Sequence, residues 1–186
     1  MKITSILSAV ALSFLTVTAF GAKSDGAAIG DAAPPLSIKS WVQGGPITFK
    51  PGQVTVVEFW ATWCPPCRTS IPHINKIQKQ YADKQVVVVG VSNEAKKTVA
   101  AFIKKMGKDM TYPVAIGDDK MTAGYMQAYN VRGIPHAFVV DAEGKISWHG
   151  HPMSGMDVAI EAALAKRDAA AAVVTDDLTP ETKAAE

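Results

Sequence analysis

The chain has 186 residues, of which 48% are hydrophobic, and this is enough to bury one sizeable core but not two. Its formal net charge of +2 is close to balance, so the composition indicates no surface for nucleic acid. The chain holds only two cysteines, and its four histidines are scattered. These bounds favour one globular domain that has no nucleic acid partner.

The first 21 residues are predicted to be a secretory signal peptide. Lys2 supplies a positive start, Ile6 to Phe20 is almost wholly apolar or small, and Ala19-Phe20-Gly21 offers small residues for cleavage. An uncleaved membrane anchor is the alternative, because the apolar run approaches the ~18–20 residues that span a bilayer. Both interpretations place the rest of the chain outside the cytoplasm. We therefore expect a periplasmic protein that contacts the membrane only if this segment stays attached.

The chain after this segment divides into three parts. Residues 22–35 are small, polar and end in proline, which predicts a linker. Residues 36–167 are predicted to fold as one domain. In residues 168–186 a run of alanines is followed by Thr175-Asp176-Asp177, which predicts a frayed helix passing into a disordered tail.

Strands alternate with helices along the predicted domain. Strands are predicted at 36–41, 47–49, 53–61, 86–91, 113–116, 137–140 and 145–148, with the first two and the last two forming hairpins. Unbroken β-branched residues in 86–91 are typical of a central parallel strand that is covered on both faces. This order of elements predicts an α/β fold with a central mixed sheet and helices on both faces.

Apolar residues at helical spacing indicate four helices. They follow the cysteines, follow the strand at 86–91, cover 121–129 and start at Met156. Pro72 falls inside the first helix and predicts a kink or a restart there. Ser92 or Asn93 is expected to cap the second helix.

The two cysteines, Cys64 and Cys67, stand where a hydrophobic strand gives way to a helix. Two thiols at this spacing can close a small disulfide ring, and the one that attacks a substrate disulfide is then displaced by its neighbour. Zinc normally needs four ligands, and the chain has no second cysteine pair. A redox function is therefore favoured over a metal site.

Three motifs resemble the thioredoxin fold, and in particular the TlpA/ResA-like branch of extracytoplasmic thiol-disulfide oxidoreductases. The run from Val57 to Arg68 is similar to that family's active-site signature, Pro72 falls where its active-site helix is kinked, and Gly133-Ile134-Pro135 resembles its cis-proline loop. The segment between the valine strand and this loop is long enough for the extra helix and strand of that branch. The resemblance covers roughly residues 28–167.

Cys64 is predicted at the helix N-terminus, where free N–H groups and the helix dipole stabilise a thiolate, so we expect it to be the exposed attacking sulfur. Cys67, one turn further, would be the more buried resolving thiol. A purely structural disulfide is the alternative, but so short a loop constrains the unfolded chain little. Because Pro65 and Pro66 carry no N–H, the thiolate loses two donors, which favours a reductase over a disulfide donor.

The resemblance implies roles for four further residues. Glu58 occupies the place of thioredoxin's buried acid, where a raised pKa would let it exchange a proton with Cys67; a solvated strand glutamate is the alternative. Pro135 is expected to follow a cis bond, so that the Ile134 backbone pairs with an extended substrate. Trp63 is predicted on the apolar rim of the site.

The expected activity is reduction of protein disulfides, with disulfide-containing proteins as substrates and the Cys64–Cys67 pair in place of a bound cofactor. The family implies a membrane thiol shuttle as the electron donor. A copper-handling protein and an oxidase or isomerase on the same scaffold stay open as alternatives. A thiol peroxidase is disfavoured because Ala61 stands where its threonine is expected. His149 and His151 could together hold a metal, but a solvated turn is favoured, and no metal ligand is predicted.

Overall fold

The computed structural model describes residues 26–177 of the chain. In this part of the chain, six strands form one sheet in the order β1-β4-β3-β2-β5-β6. Their bounds are β1 Ile38–Gln43, β2 Val54–Phe59, β3 Val86–Ser92, β4 Val114–Gly117, β5 His136–Val140 and β6 Ile146–Gly150. Strands β2, β3 and β4 are parallel, whereas β1, β5 and β6 each run antiparallel to the neighbours with which they pair. The predicted mixed sheet is confirmed.

Helices connect these strands and close the described chain. They are α1 Pro65–Gln80, α2 Lys96–Met106, the short α3 Asp119–Met121 with a π-helical turn at Thr122–Gln127, and α4 Met156–Asp177. Helix α2 and strand β4 lie between β3 and the Ile134-Pro135 loop, where the resemblance placed an extra helix and strand. The architecture is thus the thioredoxin-like fold with the predicted insertion.

Alternate residues of β2 enter two different hydrophobic clusters, one on each face of the sheet. Val56 and Trp60 lie on the face that α1, α2 and α4 cover. Val57 and Phe59 lie on the opposite face, which the π-helical turn and the segment before β1 cover. This strand is therefore buried along its whole length, as its run of apolar residues predicts.

Two local predictions are wrong. Strand β1 pairs with β4 and not with residues 47–49, because this pairing covers the otherwise exposed edge of β4. Residues 47–49 form no strand and instead pack against the hydrophobic cluster that contains Val57 and Phe59. Neither Ser92 nor Asn93 caps α2, whose N-cap is Ala95; the Ser92 hydroxyl instead accepts the Glu94 N–H. Helix α1 is continuous through Pro72, so of the predicted kink or restart the restart does not occur.

Helix α4 reaches past Arg167 to Asp177, and its residues 171–174 are exposed. The predicted signal peptide or anchor at 1–21 lies outside the described residues. Within 26–177, no helix is both long enough and apolar enough to cross a membrane.

Candidate active site

The cysteine pair lies at the start of α1, directly after β2. A turn connects the two elements, with the Cys64 N–H donating to the Ala61 carbonyl at 3.2 Å. Cys64 is the N-cap of α1, and its sulfur accepts the Cys67 N–H at 3.2 Å. The two sulfurs are joined in a disulfide. The predicted position of Cys64 at a helix N-terminus is confirmed.

Both cysteines are covered in this disulfide form. Cys64 is only 2% exposed and Cys67 is fully buried, so the expectation of an exposed Cys64 is wrong for this state. The cause is the Ile134-Pro135 loop: the Cys64 sulfur lies 3.7 Å from the Ile134 carbonyl oxygen and joins the cluster beneath α1. A helix tip usually faces solvent, but here a distant loop folds over it.

The Ile134-Pro135 loop has the predicted cis peptide bond. It lies just before β5, whose first residue His136 pairs with Phe59 at the end of β2. This pairing brings the loop beside the turn that carries Cys64. The structure therefore brings Cys64 and Ile134 together, as the motifs predicted.

A cavity of about 570 Å³ adjoins this contact at the carboxyl ends of the parallel strands β2, β3 and β4. Trp63, which is 67% exposed, and Ile134 both line it. The rest of the lining is mainly apolar and includes Phe59, Val91, Met121, Met126 and Val131, with Asp118 and Arg132 as its charged members. The carboxyl ends of parallel strands are where ligands bind in α/β sheets.

Glu58 is fully buried, so a solvated strand glutamate is excluded. It lies between Val57 and Phe59 in sequence, and its side chain faces the opposite side of the sheet, the side of α1 and Cys67. Among the described residues, neither carboxyl oxygen has a hydrogen-bond partner. Burial raises the pKa of Glu58 to about 8, as the resemblance led us to expect.

Two aromatic rings lie over Gly90, the position on β3 that pairs with Glu58 and has no side chain. Gly90 is the parallel partner of Glu58, and a Cβ on it would come within 3.0 Å of both Tyr112 and Trp60. Burial, and secondly the charge of Glu58, raise the pKa of Tyr112 well above its ordinary value. Sequence reasoning missed Tyr112, although a glycine inside a valine strand signals a close approach of this kind.

Glu94 is a second residue that sequence reasoning missed. Its carboxyl oxygens accept the Thr62 N–H at 2.6 Å and the Thr62 hydroxyl at 2.7 Å, within the turn before Cys64. Glu94 follows β3 at the carboxyl edge of the sheet, and that position is the signal that could have identified it.

The histidines pair differently from the arrangement considered from sequence. His149 is 2.9 Å from His136, ring nitrogen to ring nitrogen, whereas His151 accepts the Met153 N–H. Burial, and then the neighbouring His149 and His151, lower the pKa of His136 to about 4. Burial also lowers the pKa of His149. Across residues 26–177, no three histidine, cysteine, aspartate or glutamate side chains are placed to hold a metal ion.

A thioredoxin-like fold with a Cys-x-x-Cys disulfide at the first turn of a helix defines the class of thiol-disulfide oxidoreductases. The AhpC/TSA family model matches residues 29–149, and the chain belongs to this family. The thioredoxin-like protein YneN of Bacillus subtilis (strain 168) is 33% identical over 131 residues, which cover 68% of this chain and 74% of YneN.

Two further similarities agree with this class. The thiol-disulfide oxidoreductase ResA of a Bacillus cereus strain is 30% identical over 139 residues, covering 73% of this chain and 77% of ResA. Among solved structures, a thiol:disulfide interchange protein of the thioredoxin family from Chlorobium tepidum TLS has a TM-score of 0.62 and 30% identity, covering 74% of this chain and 99% of that chain. The chain is thus an oxidoreductase of the thiol-disulfide family.

Proposed function

We propose that the protein reduces disulfide bonds of other proteins in the periplasm, using the Cys64–Cys67 dithiol. The observation that carries the proposal is the contact between the Cys64 sulfur and the Ile134 carbonyl, beside an apolar cavity. A backbone segment next to a redox-active sulfur and an apolar cavity suits an extended peptide that carries a disulfide.

The reaction is two successive thiol-disulfide exchanges. The Cys64 thiolate attacks one substrate sulfur, forming a mixed disulfide and releasing the other substrate sulfur as a thiolate that takes up a proton. The Cys67 thiolate then attacks the Cys64 sulfur and releases the second substrate thiol. Two electrons and two protons pass from the dithiol to the substrate, and the Cys64–Cys67 disulfide remains.

Resolution by Cys67 needs a proton acceptor, because Cys67 is fully buried. Glu58 faces the same side of the sheet, and its raised pKa of about 8 matches a group that exchanges protons near neutral pH. We assign it this role. Glu58→Gln should slow exchange and flatten its pH dependence; an unchanged rate from about pH 6 to about pH 9 would remove Glu58 from the mechanism.

Substrate binding is assigned to the residues around the sulfur. The Ile134 backbone would pair with an extended substrate segment, held in place by Pro135, and Trp63 would cover the apolar side of the substrate. The half-buried Ile134 and the exposed Trp63 line the same cavity, which supports a single continuous binding surface.

The start of α1 supports the proposed reducing direction of electron flow. Pro65 and Pro66 occupy its first two positions, so among the residues of α1 only Cys67 donates its N–H to the Cys64 sulfur. A thiolate with few donors gives a more reducing couple. A reductant must then restore the dithiol, and a membrane thiol shuttle fits a protein exported across the membrane by its first 21 residues.

Mixed-disulfide trapping tests the proposal. Cys67→Ser should retain substrate proteins in a covalent complex that dithiothreitol releases, whereas the matched variant Cys64→Ser should trap none. The wild-type protein should also accelerate insulin reduction by dithiothreitol, and its reduction potential should lie nearer to about −270 mV than to about −120 mV. A potential near about −120 mV would assign the protein to the oxidases instead.

A further inference from the structure

Glu94 connects the end of β3 to the turn that leads into Cys64. One carboxyl oxygen accepts the Thr62 N–H at 2.6 Å, and the other accepts the Thr62 hydroxyl at 2.7 Å. Both oxygens thus act as acceptors, and together they hold the N–H and the hydroxyl of Thr62.

Ser92 fixes Glu94 in this position. The Ser92 hydroxyl accepts the Glu94 N–H at 3.2 Å and donates to the Glu94 carboxyl at 3.3 Å. Ser92 is the last residue of β3 and is only 2% exposed. The Glu94 carboxyl is therefore fixed to the central sheet through Ser92. Its hydrogen bonds to Thr62 restrict the movement of the turn that precedes Cys64.

The turn held by Glu94 determines how the attacking sulfur is presented. Its four residues run from Ala61 to Cys64, and the Cys64 N–H closes it onto the Ala61 carbonyl. Thr62 is the second residue, whose N–H such a turn leaves unpaired and Glu94 accepts. Trp63 is the third residue and projects into solvent.

We infer that Glu94 is a positioning residue for thiol-disulfide exchange: by holding Thr62 it orients the Cys64 sulfur and Trp63 toward the incoming disulfide. The inference rests on the proposed function. Pro65 and Pro66 supply no N–H, so α1 gives the sulfur a single backbone donor. The orientation of Cys64 then depends on the turn that precedes it, and a displacement of about 1 Å can slow a reaction about 100-fold.

Three variants separate hydrogen bonding from charge. Glu94→Ala removes both contacts with Thr62. Glu94→Gln keeps them, since its carbonyl oxygen can accept the N–H while its amide donates to the hydroxyl, but it removes the charge. Thr62→Val removes only the hydroxyl contact and serves if Glu94→Ala fails to fold.

Asp141→Ala is the matched control. The Asp141 carboxyl accepts the N–H groups of Glu143 and Lys145, each at 3.0 Å, in the turn between β5 and β6. That turn lies at the opposite end of the sheet from Cys64. It is therefore a carboxyl-held turn whose loss perturbs the fold without touching the dithiol.

The experiment measures kcat/KM for insulin reduction and the rate at which the reduced protein exchanges with oxidised glutathione, in variants shown by circular dichroism to be folded. Glu94→Ala should lower both rates about 10- to 100-fold, Thr62→Val should lower them less, and Glu94→Gln and Asp141→Ala should stay within about threefold of the wild type. Hydrogen exchange at the Thr62 amide should accelerate in Glu94→Ala and stay slow in Glu94→Gln.

Wild-type rates in Glu94→Ala would overturn the inference, as would a Glu94→Gln variant as slow as Glu94→Ala, because charge would then be the cause. An equal loss in Asp141→Ala would also overturn it in favour of general destabilisation. If the wild-type protein reduces no insulin, the proposed function fails separately, and the glutathione rates alone decide the role of Glu94.

Discussion

The buried carboxyl of Glu58 should make the stability of the oxidised protein fall as pH rises. Glu58 is fully buried, has no hydrogen-bond partner among the described residues, and has its pKa raised by burial from 4.5 to about 8. The cysteines do not titrate while they are joined in the disulfide. The oxidised protein therefore reports on Glu58 without interference from the thiols.

The direction of this pH dependence is set by proton linkage. Below about pH 4.5 the carboxyl is protonated in both the folded and the unfolded chain, so its burial costs no ionisation energy. Between pH 4.5 and about 8 the unfolded chain releases the proton while the folded chain keeps it, and the free energy of unfolding falls. The difference between the two pKa values corresponds to about 5 kcal/mol, complete above pH ~8.

Urea denaturation of the oxidised wild type and of Glu58→Gln at about pH 5, 7 and 9 measures this effect. The amide of glutamine does not titrate, so the free energy of unfolding of Glu58→Gln should rise by about 4 kcal/mol relative to that of the wild type between about pH 5 and about pH 9. Glu143→Gln is the control. Lys166 and Lys145 lower the pKa of this exposed carboxyl, so the difference in the free energy of unfolding between Glu143→Gln and the wild type should stay constant over this pH range. If the difference in the free energy of unfolding between Glu58→Gln and the wild type varies by less than about 1 kcal/mol over this pH range, burial does not raise the pKa of Glu58 as described.

Three further predictions concern other parts of the molecule. Trp63→Ala should change the free energy of unfolding by no more than about 0.5 kcal/mol, because the ring is 67% exposed. The same variant should lower kcat/KM for insulin about tenfold and leave the rate of exchange with oxidised glutathione unchanged. An equal loss with both substrates would contradict a role of Trp63 in binding protein substrates. Burial, and then His149, lower the pKa of His136 to about 4, so the unfolded chain gains a proton before the folded chain as pH falls below 6.5, and His136 then lowers the free energy of unfolding, opposite to the trend from Glu58. In urea titrations at about pH 7 and about pH 5, the free energy of unfolding of His136→Phe should therefore rise relative to that of the wild type as pH falls, and an unchanged difference would count against it. Ile71→Ala should lower the free energy of unfolding by about 2–5 kcal/mol in urea denaturation, since this α1 side chain is fully buried. A decrease of less than about 1 kcal/mol would contradict this, because it would mean that neighbouring side chains move to fill the cavity.

Features that a few neighbouring residues determine were predictable from the sequence. The Cys64 N-cap follows from two prolines after a buried strand, and the strands at β2 and β3 follow from their apolar runs. The loop at Ile134-Pro135 was recognised by its motif and has the expected cis bond. Each of these features is encoded within about ten residues, where propensity and pattern act directly.

Features that depend on contacts between distant segments were not predictable. Glu94 reaches Thr62 only because the parallel pairing of β2 and β3 brings their carboxyl ends side by side. The burial of Cys64 likewise depends on the Ile134 loop arriving over the helix tip. Local rules also favoured a hairpin for residues 36–49, whereas β4, far along the chain, provides the actual partner. Pairings of this kind are decided by tertiary packing, which overrides local preference.

Pro65 and Pro66 at the start of α1 favour a reducing couple, and this links the site's geometry to the proposed direction. A hydrogen bond to a charged group contributes about 1.5–3 kcal/mol, and about 1.4 kcal/mol corresponds to about 30 mV for a two-electron couple. Two donors withheld from the Cys64 thiolate by Pro65 and Pro66 would then lower the potential by about 60–130 mV.

Glu58 acts in the same direction once it ionises. A buried carboxylate on the cysteine side of the sheet repels a thiolate there and so destabilises the reduced form further. Because its pKa is about 8, this contribution grows with pH through the range in which the thiols themselves ionise. We therefore expect Pro65 and Pro66 to lower the reduction potential at neutral pH and Glu58 to add to their effect as the solution becomes alkaline.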